Sequence, residues 1–314
     1  MARRRKPLPP RGSRPGTPAS VSLPSLAELE GFSHASLAQW KAAGKNLDDL
    51  SHSLYFGLER YRKEHAGELV EAIRARLTGP FRFEGWARIV GYRYTLEPLS
   101  VAGSLKAGGR FNIGSVLNPA IFPPFPALYL AEDFETAFRE RFGIERSTHV
   151  GGLTAEELAL VKPDSFTQVE VRGMIESVLD VGDLGAVKPF AEIIAKFKMP
   201  QAVRALARKL HLKNTPFLVR SPTMLQRELL HSNWRLQPAQ HELPSNSQIF
   251  GRICAAAGAH CILFPSSRNN PRRCLALFPQ NWGGSESFVE VVGALPPRAS
   301  LVRFDGGSSL GTIS

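Results

Sequence analysis

The sequence has little cysteine and no recognisable set of metal ligands. Its cysteines, Cys254, Cys261 and Cys274, leave one thiol unpaired in any disulfide scheme, and none lies in a CxxC pair or a Cys/His cluster with zinc-ligand spacing. None of the eight histidines forms a pair at metal-ligand spacing. We therefore predict no metal site, no cofactor and a reducing compartment.

Long apolar runs are also absent. No uninterrupted run approaches the ~18 to 20 residues that span a bilayer. The basic N-terminus continues into the Pro-rich segment PLPPRGSRPGTP, where a secretory signal would have its apolar stretch. These two observations predict a cytoplasmic protein with no membrane partner.

Several common catalytic and nucleotide-binding motifs are missing. The sequence contains no GxxxxGK[ST] loop, no GxGxxG between a strand and a helix, no HExxH and no GxSxG. Their absence argues against P-loop nucleotide binding, a Rossmann dinucleotide site, zinc-protease chemistry and a serine nucleophile elbow.

Positive charge is concentrated at the N-terminus. The formal net charge is +11, and residues 1–20 contribute six basic side chains and no acid. The rest of the chain is only mildly basic, so charge alone does not indicate a nucleic-acid binder. Nucleic acid remains a possible partner of this tail, the alternative being a solubilising leader.

The pattern along the chain predicts five segments. Residues 1–20 are Pro-, Gly-, Ser- and Arg-rich and are predicted to be disordered. Residues 21–79 show helical spacing and end at a Gly-Pro pair, which predicts a helical extension. Residues 80–305 mix strand-like runs with helices, with a helical insertion at about 184–235, and residues 306–314 are predicted to be a flexible C-terminus.

Particular residues carry these predictions. Asp133 and Ser245 (or Asn246) are predicted helix N-caps. The spacing in the extension involves Leu47, Leu50, Leu54, Leu58, Tyr61, Leu69, Ile73 and Leu77. The strand-like runs are Phe81 to Val90, Leu128 to Leu130, Gln168 to Leu179, Cys261 to Phe264, Cys274 to Phe278 and Phe288 to Val292. In the insertion, Arg204, Arg208 and Lys209 form a basic face that either is simply solvated or contacts a partner.

Two short segments have residue types suited to a ligand site. In AGGRFNIG, residues 107–114, adjacent glycines allow a tight turn, and Arg110 has the planar fork that suits a phosphate. In ALYLAEDFETAFRE, residues 127–140, Tyr129 lies on a strand and Glu140 on the following helix. Taken alone, each of these residues more often has a structural role. For Ser266, which follows the strand-like run CILFP, the alternative is an ordinary turn at the end of a strand.

Taken in order, these segments resemble the RES domain, which is named for its Arg, Glu and Ser. The matching pieces are WARIV, GGRFNIG, ALYLAEDFETAFRE, GRICAAAGAHCILFPSSR and RRCLALF, over roughly residues 80–280, and the Tyr-to-Glu spacing of eleven is kept. The resemblance implies an α+β fold similar to ADP-ribosyltransferases, with a mixed β-sheet core. It implies catalytic roles for Arg88, Glu140 and Ser266. Its implied substrate-binding residues are Gly109, Arg110, Asn112 and Tyr129.

The resemblance also implies an activity and a partner. Known RES proteins are often toxins that degrade NAD+ by hydrolysis or phosphorolysis and are paired with Xre-like antitoxins. The expected function is therefore cleavage of the nicotinamide-ribose bond, with NAD+ as substrate and inorganic phosphate as co-substrate if the enzyme is a phosphorylase. Two alternatives are an ADP-ribosyltransferase that modifies a macromolecule and a non-enzymatic nucleic-acid-binding protein.

The sequence departs from the smaller RES toxins in three respects. Ile89 occupies the position after the first arginine where many have a tyrosine, so Tyr92, Tyr94 or Tyr129 must supply any stacking face. A long helical stretch separates Glu140 from Ser266, and an N-terminal region is added. The last two features bear on whether a conventional antitoxin can cover the site.

Overall fold

The computed structural model describes residues 34–143, 166–212 and 218–308. The predicted basic tail, residues 213–217 of the predicted insertion and residues 309–314 of the predicted C-terminal segment lie outside these ranges. The chain divides into two compact units, residues 1–45 and 46–314. In the first unit the structure describes the beginning of helix α1, and all other elements belong to the second. The predicted segment boundaries at residues 20, 79 and 305 stay predictions.

Helices form much of the described chain. They are α1 (His34–Glu64), α2 (Ala66–Arg74), α3 (Ala102–Ala107), α4 (Phe134–Phe142), α5 (Leu184–Ile194), α6 (Gln201–Lys209), α7 (Pro222–Leu229), α8 (Leu236–His241) and α9 (Asn246–Ala256). Short 3-10 turns occur at Tyr92–Tyr94 and Pro279–Asn281. Within the described ranges, no helix is both long enough and apolar enough to cross a membrane.

The strands form one mixed sheet. They are β1 (Phe81–Gly91), β2 (Leu128–Ala131), β3 (Phe166–Ile175), β4 (Val178–Asp180), β5 (Cys261–Pro265), β6 (Arg273–Leu277), β7 (Phe288–Val292) and β8 (Arg303–Asp305). Their order is β4-β5-β6-β2-β1-β3-β7-β8. The β4-β5 pair is parallel, and the other neighbouring pairs are antiparallel. The predicted α+β class with a mixed sheet is confirmed.

Two local predictions need correction. The strand-like run Gln168 to Leu179 is two strands, because β3 pairs with β1 whereas β4 joins β5 at the far edge of the sheet. Helix α2 ends at Arg74 rather than at Gly79, because the backbone of Thr78 exchanges hydrogen bonds with Val178 and extends the sheet. Strand β8 has no counterpart among the predicted runs.

The predicted N-caps are confirmed. Asp133 accepts a hydrogen bond from the backbone N–H of Thr136 at the start of α4, at 2.7 Å. Ser245 caps α9 in a capping box with Gln248. Both caps are local, since each satisfies N–H groups of the first helical turn that have no partner within the helix.

Both faces of the sheet are buried, as alternation along the central strands shows. In β6, Cys274 and Ala276 face the main helical core, while Leu275 and Leu277 face the opposite core. The helical core also contains residues of the extension and of the predicted insertion: Leu69, Ile73, Val187, Phe190, Leu225 and Leu229. Helices α2, α5 and α7 therefore cover the sheet and contribute to the core that positions the site. On α6, the predicted basic face is exposed.

Candidate active site

A cleft opens where the ends of β1 and β2 meet helix α4. It encloses about 1100 Å³, a volume that includes the solvent in its open mouth. Its lining includes the backbone of Gly108 and Gly109 and the side chains of Arg88, Tyr94, Arg110, Tyr129, Glu140, Arg141, Trp234, Arg235 and Cys274.

Sheet topology explains why distant residues meet at this cleft. Strand β6 lies between β2 and β5 and is antiparallel to both, so β2 and β5 run parallel to each other. Their carboxyl ends therefore lie at the same edge of the sheet. Glu140 follows β2 on helix α4 and Ser266 follows β5 directly, so this edge brings the two together.

The glycine turn forms the floor beside Tyr129. Gly108 has a φ of +72°, a conformation that a residue with a Cβ adopts only under strain, and Gly109 bridges to Asn112. A Cβ on Gly109 would lie 2.4 Å from the Tyr129 hydroxyl oxygen. The side-chain amide of Gln248 holds the turn by donating to the Gly109 and Asn112 carbonyls at 3.1 Å each.

Tyr129 and Asn112 belong to the framework of this turn. The Tyr129 hydroxyl accepts from the Phe111 N–H and donates to Asn112 Oδ1, both at 2.9 Å. Burial raises the pKa of Tyr129, so its hydroxyl remains a neutral donor. Asn112 is fully buried and donates to the carbonyls of Ser104 and Phe125. Tyr129 lines the cleft with its ring, whereas Asn112 is not one of the lining residues.

Glu140 is the carboxylate of the cleft. Its Oε1 accepts from the Ser266 hydroxyl at 2.7 Å, the Ser267 N–H at 2.9 Å and the Ser267 hydroxyl at 3.3 Å. Its Oε2 lies 3.6 Å from Nη2 of Arg110, and the side chain is 21% exposed. One oxygen is thus held by three donors, which orients the carboxylate toward the cleft.

Ser266 lies behind Glu140 rather than in the cleft wall. It is 2% exposed and is not one of the lining residues. Besides donating to Glu140, its oxygen accepts from the backbone N–H groups of Arg268 and Asn269 at 3.1 and 3.0 Å. This geometry suits a residue that positions the carboxylate.

Arg110 is buried, and its guanidinium donates hydrogen bonds to protein oxygens. Its Nη1 donates to the His231 carbonyl at 2.9 Å and approaches that of Leu229 at 3.4 Å, and its Nη2 donates to the Ser267 hydroxyl at 2.7 Å. Burial lowers its pKa, an effect that Glu140 opposes. Arg110 connects the glycine turn, the Glu140 carboxylate and the chain after α7.

Other arginines provide the positive charge that faces the cleft. Arg88 on β1 donates through Nη2 to the Ser100 carbonyl at 2.6 Å, while its buried Nη1 has no hydrogen-bond partner within the described chain. Burial, with added repulsion from Arg141, lowers the pKa of Arg88 to about 9. Partial burial lowers the pKa of Arg235, and repulsion from the nearby Arg110 lowers it further. The poorly solvated guanidinium of Arg88 favours an anionic ligand, and the more exposed Arg235 adds positive charge in the same cleft.

Several lining residues escaped the sequence analysis. Trp234 and Arg235 lie at the end of the predicted insertion and Arg141 follows Glu140, but none of the three was predicted to belong to the site. Tyr94 was considered as a stacking residue and lines the cleft, whereas Tyr92 is 72% exposed and does not. Trp234 is one of the few tryptophans of the chain, and an arginine follows it. This pair of residue types is the sequence feature that could have indicated a ligand site there.

A metal site is not evident in the part of the chain that the structure describes. No group of three His, Cys, Asp or Glu side chains there could hold a metal ion. The three cysteines are buried. Burial raises the pKa of the Cys274 thiol, so this cysteine at the cleft is an inert apolar group.

Comparison with known proteins assigns the central part of the chain to a class. The family model of the RES domain matches residues 86–222. This match confirms the resemblance to the RES domain that the motifs of the chain show. Arg88, Arg110, Tyr129 and Glu140 lie within the match, and Ser266 lies beyond its end.

Other comparisons add little. No curated protein matches the chain. Among solved structures, a chain of the MbcT-MbcA toxin-antitoxin complex from M. tuberculosis is similar at 17% identity, with a TM-score of 0.38, over 74% of this chain and 93% of that one.

Proposed function

We propose that this protein is an NAD+-degrading enzyme that cleaves the bond between nicotinamide and ribose. The observation that carries the proposal is the carboxylate of Glu140, held by three donors in a cleft whose other charged side chains are arginines. An oriented carboxylate suits a developing sugar cation, and the arginines suit the pyrophosphate of a dinucleotide. The RES domain match supports the same activity.

The chemistry assigns Glu140 an electrostatic role. As the carbon-nitrogen bond breaks, its electron pair goes to the nicotinamide nitrogen, which loses its positive charge, and the ribose becomes an oxocarbenium ion. A carboxylate beside the ribose stabilises that ion and accepts hydrogen bonds from its hydroxyls. Water as the nucleophile gives ADP-ribose and a proton. Phosphate gives ADP-ribose 1″-phosphate.

The arginines that line the cleft and can still donate hydrogen bonds to a ligand bind the substrate. Nη1 of Arg88 is buried and without a partner in the described chain, so a phosphate oxygen there would satisfy it. Arg141 and Arg235 line the same cleft. Arg110, whose donors bond to protein, acts in this proposal by holding the site together.

The biological setting is part of the proposal. On its RES domain, the protein acts as a toxin or defence effector, and an Xre-like protein is its expected antitoxin. Blocking the cleft would be the direct way for such a partner to inhibit the enzyme.

The test is to identify the products by mass after incubating the purified protein with NAD+, with and without phosphate. Nicotinamide release is expected, together with ADP-ribose 1″-phosphate if phosphate is the acceptor or free ADP-ribose alone if water is. Unchanged NAD+ after prolonged incubation with folded, partner-free protein would contradict the proposal. ADP-ribose attached to protein would identify a transferase instead.

A further inference from the structure

Part of the lining of the cleft comes from the chain between α7 and α8. Residues 230–235, which we name the Trp234 segment, connect these helices and place Trp234 and Arg235 at the cleft. The segment belongs to the long helical stretch that separates Glu140 from Ser266. It contains none of the motif residues that suggested the site.

The Trp234 segment is tied to the catalytic carboxylate by Arg110. The Arg110 guanidinium donates to the His231 carbonyl at 2.9 Å and lies 3.6 Å from Glu140 through its other nitrogen. Arg268 adds a hydrogen bond to the Ser232 carbonyl at 3.3 Å. One buried side chain therefore sets the position of Trp234 relative to Glu140.

The composition of the segment is that of a stacking surface. The Arg235 guanidinium carbon lies 4.6 Å from the centre of the Trp234 ring, which is a cation-π contact. Trp234 is only half-buried although it lines a cleft. An indole with an arginine on one face is suited to stack a planar base on the other.

We propose that Trp234, backed by Arg235, is the platform on which an aromatic base of the dinucleotide substrate stacks, beside the carboxylate of Glu140 to which Arg110 links its segment. This rests on the proposed function. Stacking acts in both the ground state and the transition state, so the platform governs binding of the substrate more than the chemical step. It gives the helical stretch between Glu140 and Ser266 a role in substrate recognition.

Steady-state kinetics of Trp234→Ala and Trp234→Phe test the platform. We expect Trp234→Ala to raise KM for NAD+ by about 10-fold or more with kcat changed by less than about 3-fold, and Trp234→Phe to keep most of the affinity. Leu236→Ala is the matched control, because Leu236 follows the segment, is 52% exposed and is not a lining residue. Melting temperatures establish that each variant is folded.

Substrate fragments identify which base is stacked. If Trp234 stacks adenine, cleavage of nicotinamide mononucleotide, which lacks adenine, should be the same in the wild type and in Trp234→Ala. If it stacks nicotinamide, the substitution should weaken both substrates. A folded Trp234→Ala protein with wild-type KM for both would overturn the inference and leave the proposed function intact.

Binding measured without turnover separates the two proposals. In the Glu140→Gln background, where turnover is slow, calorimetric titration of NAD+ should show a loss of about 10-fold in affinity on adding Trp234→Ala. Quenching of tryptophan fluorescence by NAD+ should disappear on adding Trp234→Phe in the same background. If these effects occur but no NAD+ is cleaved, the platform stands and the proposed activity fails. If wild-type protein does not bind NAD+, both fail.

Discussion

The hydroxyl of Ser266 donates to Oε1 of Glu140 at 2.7 Å, across 126 positions of sequence. The same hydroxyl oxygen accepts two backbone N–H groups from the turn that follows it. Ser266 thereby ties the end of β5 to helix α4 and holds the carboxylate in one orientation. Glu140 and Ser266, to which the resemblance to the RES domain assigns catalytic roles, thus form a single unit in which the serine supports the glutamate.

Glu140→Gln should lower NAD+ turnover by ~10² or more while leaving NAD+ affinity within a few-fold of wild type. The substitution keeps the shape but removes the charge that stabilises the ribosyl cation, an interaction made mainly in the transition state. Measuring kcat together with the Kd from calorimetry checks this. If the enzyme is a toxin, cells should also tolerate expression of Glu140→Gln far better than wild type.

Glu135→Gln is the matched control for this change. Glu135 lies on the same helix, pairs with Arg139 at 2.8 Å and is 45% exposed, so its loss should leave turnover unchanged. A folded Glu140→Gln protein with wild-type turnover would place the catalytic carboxylate elsewhere.

Ser266→Ala should reduce kcat by ~10-fold with little change in KM, because a positioning residue affects the carboxylate rather than the bound substrate. Stability should fall by about 1 to 3 kcal/mol, since buried partners of the hydroxyl lose their hydrogen bonds. Kinetics and chemical denaturation measure the two effects. A large rise in KM with unchanged kcat would instead indicate that Ser266 binds the substrate directly.

Pyrophosphate should raise the melting temperature of wild-type protein by several degrees when present at ~100 times its Kd. In Arg88→Met most of this shift should disappear, because the buried Nη1 that lacks a partner in the described chain is lost. Arg82→Met is the control, since Arg82 is exposed on the same strand. Equal shifts in Arg88→Met and wild type would remove Arg88 from the anion site.

Gly109→Ala should destabilise the protein and abolish most turnover. Its Cβ would lie 2.4 Å from the hydroxyl oxygen of the buried Tyr129, so the turn or the ring must move. Tyr129→Phe should be milder, with a loss of about 1 to 3 kcal/mol from the two hydrogen bonds of its hydroxyl. Thermal melts and turnover compare the two variants, and equal stability of Gly109→Ala and wild type would contradict the close packing described here.

Deleting residues 1–20 should leave turnover nearly intact. This segment has the composition of a chain that forms no core, and it contains none of the residues proposed to act in catalysis or binding. Turnover of the shortened and full-length proteins is the comparison. A collapse of activity in a folded truncation would show that the tail takes part in catalysis.

The sequence by itself determined the local features of the fold and one half of the site. The caps at Asp133 and Ser245 and most strands were predictable, because capping and alternation depend on residues only a few positions apart. Tyr129 and Glu140 could be placed on a strand and the following helix for the same reason. The resemblance to the RES domain then singled out Arg88 and Ser266.

Only the tertiary structure decided which distant segments meet. Nothing local in the run Gln168 to Leu179 indicates that β3 and β4 lie in separate parts of the sheet, since that depends on strand order. The contacts of Arg110 with His231 and Ser267 likewise span 121 and 157 positions. These contacts form because the carboxyl ends of β2 and β5 lie on the same side of the sheet and the chain between α7 and α8 packs over them. That arrangement makes Ser266 a support for Glu140 and brings Trp234 into the cleft.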